Sequence, residues 1–588
     1  MCGIVGLAGP DAARHESTIA AMGRSQAHRG PDGTRHVVAS DGRATLGMNL
    51  LRIVDAAAQP GPYRDGESGL LLVLNGEIYN YRQAAAAWGI PLAPGETDAH
   101  LVLRAWVRFG PSVLDALDGM FALAVYDPQN GKLFLARDRM GEKPVYWRLD
   151  GPRLAFASEV RTLATGYGPA PLVVRPEMLA IETPVGTDTP FQGIQLLAPA
   201  TLLTFDVATG SLDQSTWWRL EDAPPWTGDY DSALTAFSGA LTEQIPLRAP
   251  GGDFALLLSG GLDSCLLAYL MRPPVCVTVR YREERLDETE TAAAVARDIG
   301  AELILVEPDA DDLVTALPHI ARQLDYPMGN AATFSEHMAY RAVAALGIRV
   351  VVGGLGPDEL LMGYVRHALA LSGPEAVLAA GLQAYQPLAA KLMRAAGEPL
   401  TPETAVTRLI LRGPDAQGRI RDLVADALRR GGGDLARGLT LAELATAWRP
   451  LVMTSDKLAS ALSLERRSPY LARELLELSY GLPREYKLRD PAAGKRILRD
   501  VAESLGLPQQ IWDNHDKLGF SSPVPAWLTG PLAGWADSQI RTALAYAPAT
   551  LRPLLESGLT PGGRYSRTRM QSLMAAAWLS DQTLRAAA

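Results

Sequence analysis

The sequence predicts an α+β amino-terminal domain of stacked antiparallel sheets, followed by an α/β domain on a parallel sheet with a mostly helical carboxy-terminal part. Three observations predict it. The first two hundred or so residues carry short apolar runs separated by turn clusters such as RGPDG and DPQNGK. Beyond them, continuous apolar strands alternate with helical stretches, the pattern of a parallel sheet covered on both faces. From about residue 365 onward, Ala- and Leu-rich helical patterning dominates.

In chain order, CGIVGLAG, ATLGMNLLRIVD, GLLLVLNGEIYNY, FALAVYD, KLFLARDR and RLAFASE are the expected strands of the first domain. Only two helices, near 16–27 and 98–109, are expected among them. The segment TWWRLEDAPPWTGD, within about 210–230, has no clear period and marks the boundary, drawn as domains 1–212 and 213–588. After it, FALLLS reads as a buried strand, GGLDS as a turn and CLLAYLM as a helix. VCVTVRY, AELILVE and IRVVVGG are further strands, with helices at ETAAAVARDIG and about 334–346.

The 588 residues carry 56 Lys plus Arg against 65 Asp plus Glu, a net charge of −9, which gives no electrostatic footprint for nucleic acid or an anionic membrane. Hydrophobic residues at 47% and charged residues at 21% are those of a folded globular chain. Cys2, Cys265 and Cys276 are too few and scattered for a disulfide framework or a zinc site, so a reducing, cytoplasmic setting is expected. MCGIVGLAGP has no basic leader, and no run of 18 apolar residues occurs elsewhere.

FALLLSGGLDS is the most informative segment. A buried strand ends in Ser259, Gly260 and Gly261, whose small side chains let backbone N–H groups approach an anion, and a helix from near Ser264 adds its positive end. Asp263 in such a loop would repel bare phosphates, so its expected role is to hold a Mg²⁺ ion that bridges them. VVVGGLGPDELLMGY repeats the form and offers Asp358 as a second Mg²⁺ ligand. In an open parallel sheet two such turns face one nucleotide from two sides. Lys457, Lys495 and Lys517 are candidates to neutralise phosphate charge.

MCGIVG, HRGPDG, NGEIYNY, ETDAH, FALAVYD, ARDRMGEKPVYW, FASE, SGGLDS and GGLGPDELLMGY, in that order, resemble the glutamine-dependent asparagine synthetase family. The resemblance implies a class II glutamine amidotransferase domain of the Ntn-hydrolase type, an ATP-pyrophosphatase-type synthetase domain, and an ammonia tunnel between them. It implies Cys2 as the nucleophile once Met1 is removed, its own α-amino group serving as nearby base. Asn75 and Gly76 would form the oxyanion hole, and Glu77 and Asp98 would bind the donor's amide region and α-ammonium. Leu257, Val279, Gly353 and Gly354 would surround the adenosine of ATP, Asp263 and Asp358 would hold Mg²⁺, and Lys495 would face the α-phosphate and acyl-adenylate. The implied partners are glutamine, ATP and a small carboxylic acid, with a homodimer as the candidate assembly and neither nucleic acid nor membrane.

The chain departs from the family's pattern in three places. Leu50 stands where an Arg grips the glutamine carboxylate, and a strand through residues 50 and 52 would let Arg52 reach it instead. SGEGSDE becomes GGLGPDE, with Leu355 in place of a Glu that faces the acyl-adenylate and Pro357 in place of a Ser. LEARVPFLD becomes LERRSPYLA, and DYPMGNAAT carries Asn330 where one bacterial form has Arg. The implied function is ATP-dependent amide formation. The acceptor is aspartate or, as the departures favour, another carboxylic acid of specialised metabolism. A β-lactam-synthetase-like or macrolactam-forming cyclase with a vestigial glutaminase is the alternative, as is a glutaminase with an ATP-responsive regulatory domain.

Overall fold

The computed structural model describes residues 2–53, 58–281, 289–379, 389–390, 392–393, 401–411, 417–488, 494–514, 522–560 and 567–587. Twelve strands form its first half: β1 Gly3–Ala8, β2 Thr34–Val38, β3 Ala44–Asn49, β4 Tyr63–Arg64, β5 Leu71–Ile78, β6 Gly119–Asp127, β7 Lys132–Arg137, β8 Tyr146–Asp150, β9 Arg153–Ala157, β10 Ile194–Leu196, β11 Thr201–Asp206 and β12 Leu212–Thr216. They make two antiparallel sheets, ordered β10-β8-β9-β1-β3-β2 and β12-β11-β7-β6-β5-β4.

The sheets pack face to face through alternate side chains, among them Ile4, Leu46, Val73, Ala124, Leu135, Phe156 and Leu203. The amphipathic helix Asp98–Phe109 covers the outer face of the second sheet, setting Leu101, Val102 and Trp106 against Leu72, Leu74 and Leu123. Helix Glu16–Ser25 covers the other sheet, with Ile19 and Met22 against Val5 and Leu7. The result is a four-layer helix–sheet–sheet–helix stack. More helix is present than the sequence predicts. Tyr81–Trp88 forms a helix that buries Tyr81, Ala84 and Ala85 and ends on Gly89 at φ 63°, a left-handed cap. Pro176–Ala180 forms a short one.

Two other boundaries move. The strand expected to run through Asp55 ends at Asn49. Leu50 leaves the ladder to bridge Pro31, and residues 54–57 lie outside the described set. The cut drawn after residue 212 falls at the first residue of β12, which hydrogen-bonds to β11 through Thr216, so the first half's sheet continues past it.

The second half holds a five-stranded parallel sheet ordered β15-β14-β13-β16-β17. Its strands are β13 Ala255–Leu257, β14 Val275–Val279, β15 Glu302–Val306, β16 Val350–Val352 and β17 Glu465–Arg467. The chain winds outward from β13 in both directions, so the crevice between the ends of β13 and β16 is the switch point where such sheets bind ligands. β17 has no counterpart in the sequence reading, because Glu-Arg-Arg carries no apolar strand signal. It forms by pairing Val350–Val352 with Glu465–Arg467.

Candidate active sites

The first site gathers at the start of β1. The Cys2 backbone N–H donates to Asn75 Oδ1 at 3.0 Å. Asn75 is fully buried on β5, and its Nδ2 has no hydrogen-bond partner. An orphaned buried donor beside a thiol is what an oxyanion hole requires before its substrate arrives. Gly76 follows at φ 144°, and a Cβ there would lie 1.9 Å from the Met120 carbonyl oxygen, so only glycine lets β5 pass β6.

Asp98 opens the helix Asp98–Phe109, where it accepts the Ile78 N–H at 3.0 Å and the Ala99 N–H at 2.8 Å. Burial pushes its carboxyl up to about 6 despite those bonds. Glu77 is pushed well above the carboxylate range by burial and by Asp98, while Arg467 pulls it down. Burial raises the Cys2 thiol, and the positive chain terminus opposes that. The structure thus brings Cys2, Asn75, Gly76, Glu77 and Asp98 together. Arg52 is a correction. The strand ends three residues before it, so the period-two argument does not apply, and its Nε donates to the Ala58 carbonyl at 2.9 Å.

The second site is a cavity of about 830 Å³ at the switch point. Leu257, Ser259, Gly261, Asp263, Ser264, Gly353, Gly354, Asp358 and Lys495 line it. Gly260 and Val279 do not. Gly260 turns the loop at φ 76°, and Val279 ends β14 one strand away from the crevice, packed against the core. Ser264 Oγ receives the Ser259 N–H at 3.1 Å and donates to the Gly261 carbonyl at 3.1 Å, tying the loop to the helix Leu262–Met271.

Lys495 Nζ lies between the two carboxylates, 2.5 Å from Asp263 Oδ2 and 2.8 Å from Asp358 Oδ1. Burial disfavours its charge, but Asp263 and Asp358 hold its pKa above the usual lysine range. A Cβ on Gly363 would sit 2.1 Å from Asp358 Oδ1 and 2.4 Å from Lys495 Cε, so a bare backbone gives this cluster its room. Asp263 Oδ1 is buried without a hydrogen-bond partner. Two carboxylates, one with an uncommitted oxygen, fit Mg²⁺, which is commonly bound by one or two carboxylates together with substrate phosphates. No cluster of three or more His, Cys, Asp or Glu that would make an all-protein metal cage occurs among the described residues.

One of the lysine expectations changes. Lys457 is away from the cavity, buried between Glu159 Oε2 at 2.6 Å and Asp325 Oδ2 at 2.9 Å. Lys517 lies outside the described residues. Leu355 lines the cavity, as does Asn330, whose side chain caps the helix Ala331–Ala345 by accepting the Ala332 N–H at 2.9 Å.

The sequence reading misses the charges that join the two halves. Arg29 is fully buried. Its guanidinium pairs with Glu159 and, at 2.5 Å, with Asp456, and its Nε donates to the Cys2 carbonyl at 3.4 Å. Lys143 Nζ reaches Asp456 Oδ1 at 3.3 Å. On β17, Arg467 pairs with Glu465 at 2.8 Å and stands 3.6 Å from Glu77. Arg466, one residue back and on the opposite strand face, lines the cavity. The available signal was LERRSPYLA itself, an unusual run of charge for a buried segment.

Comparison with known proteins agrees with this two-site arrangement. Residues 250–580 match the model of the asparagine synthase family, and residues 1–218 that of a glutamine amidotransferase domain. A Mycobacterium bovis protein with a glutamine-hydrolyzing asparagine synthetase name is 29% identical over 93% of this chain and 91% of its own. Asparagine synthetase 1 of Bacillus subtilis is 24% identical over 92% and 90%. The amidase chry2 of Gibberella zeae is 27% identical over 59% of this chain and 56% of its own.

Proposed function

The chain belongs to the asparagine synthase family, and from that premise we propose that it amidates a carboxylic acid other than aspartate with ammonia released from glutamine at Cys2. A glutamine-hydrolysing, amide-forming ligase is the activity its two matched domains support. The observation that carries the two-site reading is Lys495 Nζ held between Asp263 and Asp358 beneath two Gly-rich turns, in a chain that also presents a buried Cys2 to an orphaned Asn75 amide.

The proposed course begins with the Cys2 nitrogen. With Met1 removed, this becomes an α-amine held by Asn75 Oδ1 and placed to take the thiol proton. Cys2 sulfur attacks the glutamine amide carbon, and Asn75 Nδ2 with the Gly76 N–H meets the oxyanion. Ammonia leaves, and water hydrolyses the thioester to glutamate. At the second site an acceptor carboxylate oxygen attacks the α-phosphorus of ATP and pyrophosphate departs. Lys495 supplies fixed positive charge to that phosphate, and the Gly-rich turns orient it. Mg²⁺ held by Asp263 and Asp358 would supply charge neutralisation on the departing pyrophosphate. Ammonia then attacks the acyl carbon, the acyl–oxygen bond to AMP breaks, and the amide is released.

Leu355 supports an acceptor other than aspartate. It places an aliphatic side chain in the cavity wall where the family pattern has a carboxylate, so this position cannot pair with an ammonium group. The test is glutamine-dependent release of AMP and pyrophosphate across a panel of acids. Cys2→Ala should lose activity with glutamine and keep it with ammonium salt. Equal loss with both nitrogen sources would overturn the two-site reading, and efficient pyrophosphate exchange with aspartate would overturn the acceptor assignment.

A further inference from the structure

We infer that the acceptor acid carries an apolar body of several carbons, held along a cavity wall that includes Ile181, Leu355, Ile410 and Leu451. The inference rests on the ligase reading above and deepens it by naming the class of acid.

These four residues line the cavity and share one hydrophobic cluster, which also contains Leu256, Val350 and Val352 of the parallel sheet. Met328 and Met570 line the cavity as well, but they pack in a second cluster, with Ala255 and Val351. Successive residues of a strand point to opposite faces, so the two clusters cover the two faces of the sheet and the cavity opens between them, beyond the strand ends. Leu355 and Leu451 are half-buried and so keep apolar surface toward the cavity. Leu355 is therefore not an isolated change in the Gly-rich turn. It continues an apolar wall onto the helices Pro402–Ile410 and Trp448–Ala461, which carry Ile410 and Leu451.

Two arguments give this wall to the acceptor rather than to the nucleotide. Ammonia is released in the first half and must meet the acyl carbon, so the acceptor occupies the part of the cavity that first-half residues reach. Those lining residues are Ile181 and Glu182. The nucleotide positions, in contrast, lie on β13, the two Gly-rich turns and Lys495, and none of those elements carries Ile181, Ile410 or Leu451. Leu355 alone follows directly on a turn, where an acyl group joined to AMP would have to begin. Arg466 stands against Gly353 and so goes with the nucleotide. The other charges facing this part of the cavity are engaged with the protein itself. Glu182 Oε2 pairs with Arg567 at 2.7 Å, Arg366 makes two bonds of 2.5 Å to Glu443, and Glu336 Oε1 accepts the Tyr340 and Ser455 hydroxyls, each at 2.6 Å. A charged end group would have to break one of these pairings, whereas an apolar body gains by covering apolar wall.

The experiment is pyrophosphate exchange by the full-length protein with straight-chain monocarboxylic acids from acetate to decanoate, with phenylpropanoate, and with succinate and aspartate. From butyrate to octanoate, kcat/KM should rise by about fourfold for each added CH₂. Leu451→Asn should flatten that rise while leaving the KM for ATP and glutamate release from glutamine within about twofold. Leu451→Phe, which stays apolar but fills the slot, should move the optimum to shorter acids and gives a second reading should the first variant fail to fold. A flat or falling dependence on chain length, a preference for aspartate or succinate, or a rise in the KM for ATP in Leu451→Asn that matches its loss of exchange would overturn the inference and leave the ligase standing. No exchange with any acid, alongside Cys2-dependent glutaminase activity, would overturn the ligase reading and this inference with it.

Discussion

Arg467 Nη2, on the last strand of the parallel sheet, lies 3.6 Å from Glu77 Oε2 on the amidotransferase sheet. A residue of the synthetase half therefore sets the charge of one at the glutaminase site. Burial and Asp98 raise the Glu77 carboxyl, and Arg467 works against them. Removing the guanidinium should raise Glu77 further, so that it stays protonated to higher pH. Arg467→Gln is expected to lower glutaminase kcat/KM by about tenfold near neutrality, with partial recovery under alkaline conditions. An unchanged pH profile of glutamate release would show that Glu77 does not act through its charge.

Asn75→Ala removes the orphaned donor beside Cys2 and the acceptor that holds the Cys2 nitrogen. Loss of one oxyanion donor alone is worth about 3 kcal/mol, or about 10²-fold in kcat. Glutamine-dependent turnover should fall by at least that much, and turnover with ammonium salt should stay within about twofold. Comparable losses with the two nitrogen sources would place Asn75 outside the glutaminase step.

The fold was largely readable because its elements obey simple periods. β5 and β6 are apolar runs between turn signals, and SGGLDS sits between a buried strand and a helix. The adenine-side and glutamine-side details were less readable. Val279 lies one strand from the crevice, and Arg52 falls past the strand end, because where a ladder stops depends on partners such as Pro31 that are distant in sequence. The Arg29 and Lys457 networks could not be read from pattern, and β17 left only the charge run of LERRSPYLA as a signal. Buried charge looks like surface charge until the chain folds, and only tertiary pairing distinguishes the two.

Asp98 should give glutamine binding an acidic limb. Its carboxyl is raised to about 6, so binding of the donor's ammonium by the carboxylate form weakens as pH falls through that value. The same shift makes the buried carboxylate a stability cost, absent below the unfolded carboxyl pKa and fully developed once pH has risen through about 6. Calorimetry of glutamine binding to Cys2→Ala should show affinity falling by about tenfold per pH unit below that point. Asp98→Asn should bind weakly at every pH, with no limb.

Lys457 tests the junction between the halves. It is buried between Glu159 and Asp325, and although burial disfavours its charge, the two carboxylates hold its pKa above the usual lysine range. A raised pKa means that its stabilising contribution is fully present below the unfolded lysine pKa and is lost only as pH rises through the folded one. Lys457→Met leaves Glu159 with Arg29 and Asp325 with Arg161, but uncovers part of both charges. A cost of about 3 kcal/mol is expected, read as a lower Tm at fixed scan rate. A Tm equal to that of the native chain would mean that the network is satisfied without its lysine.

Lys495 decides whether the second site does chemistry or only holds a nucleotide. Its ammonium stands 2.5 Å from Asp263 and 2.8 Å from Asp358, and Asp263 keeps one oxygen uncommitted. In a site that only binds nucleotide, replacing Lys495 with Met should weaken ATP binding and leave nothing else to lose. In a site that adenylates an acid, the lysine meets charge that grows at the α-phosphate as the pentacoordinate geometry forms, so its loss falls on the rate. Lys495→Met should therefore cut pyrophosphate exchange by about 10²-fold or more at saturating ATP, with glutamate release from glutamine retained. A defect that saturating ATP restores in full would assign Lys495 to binding alone. The missing cation also leaves Asp263 and Asp358 facing each other, so the variant should bind Mn²⁺ more tightly without nucleotide, a change visible by electron paramagnetic resonance and independent of turnover.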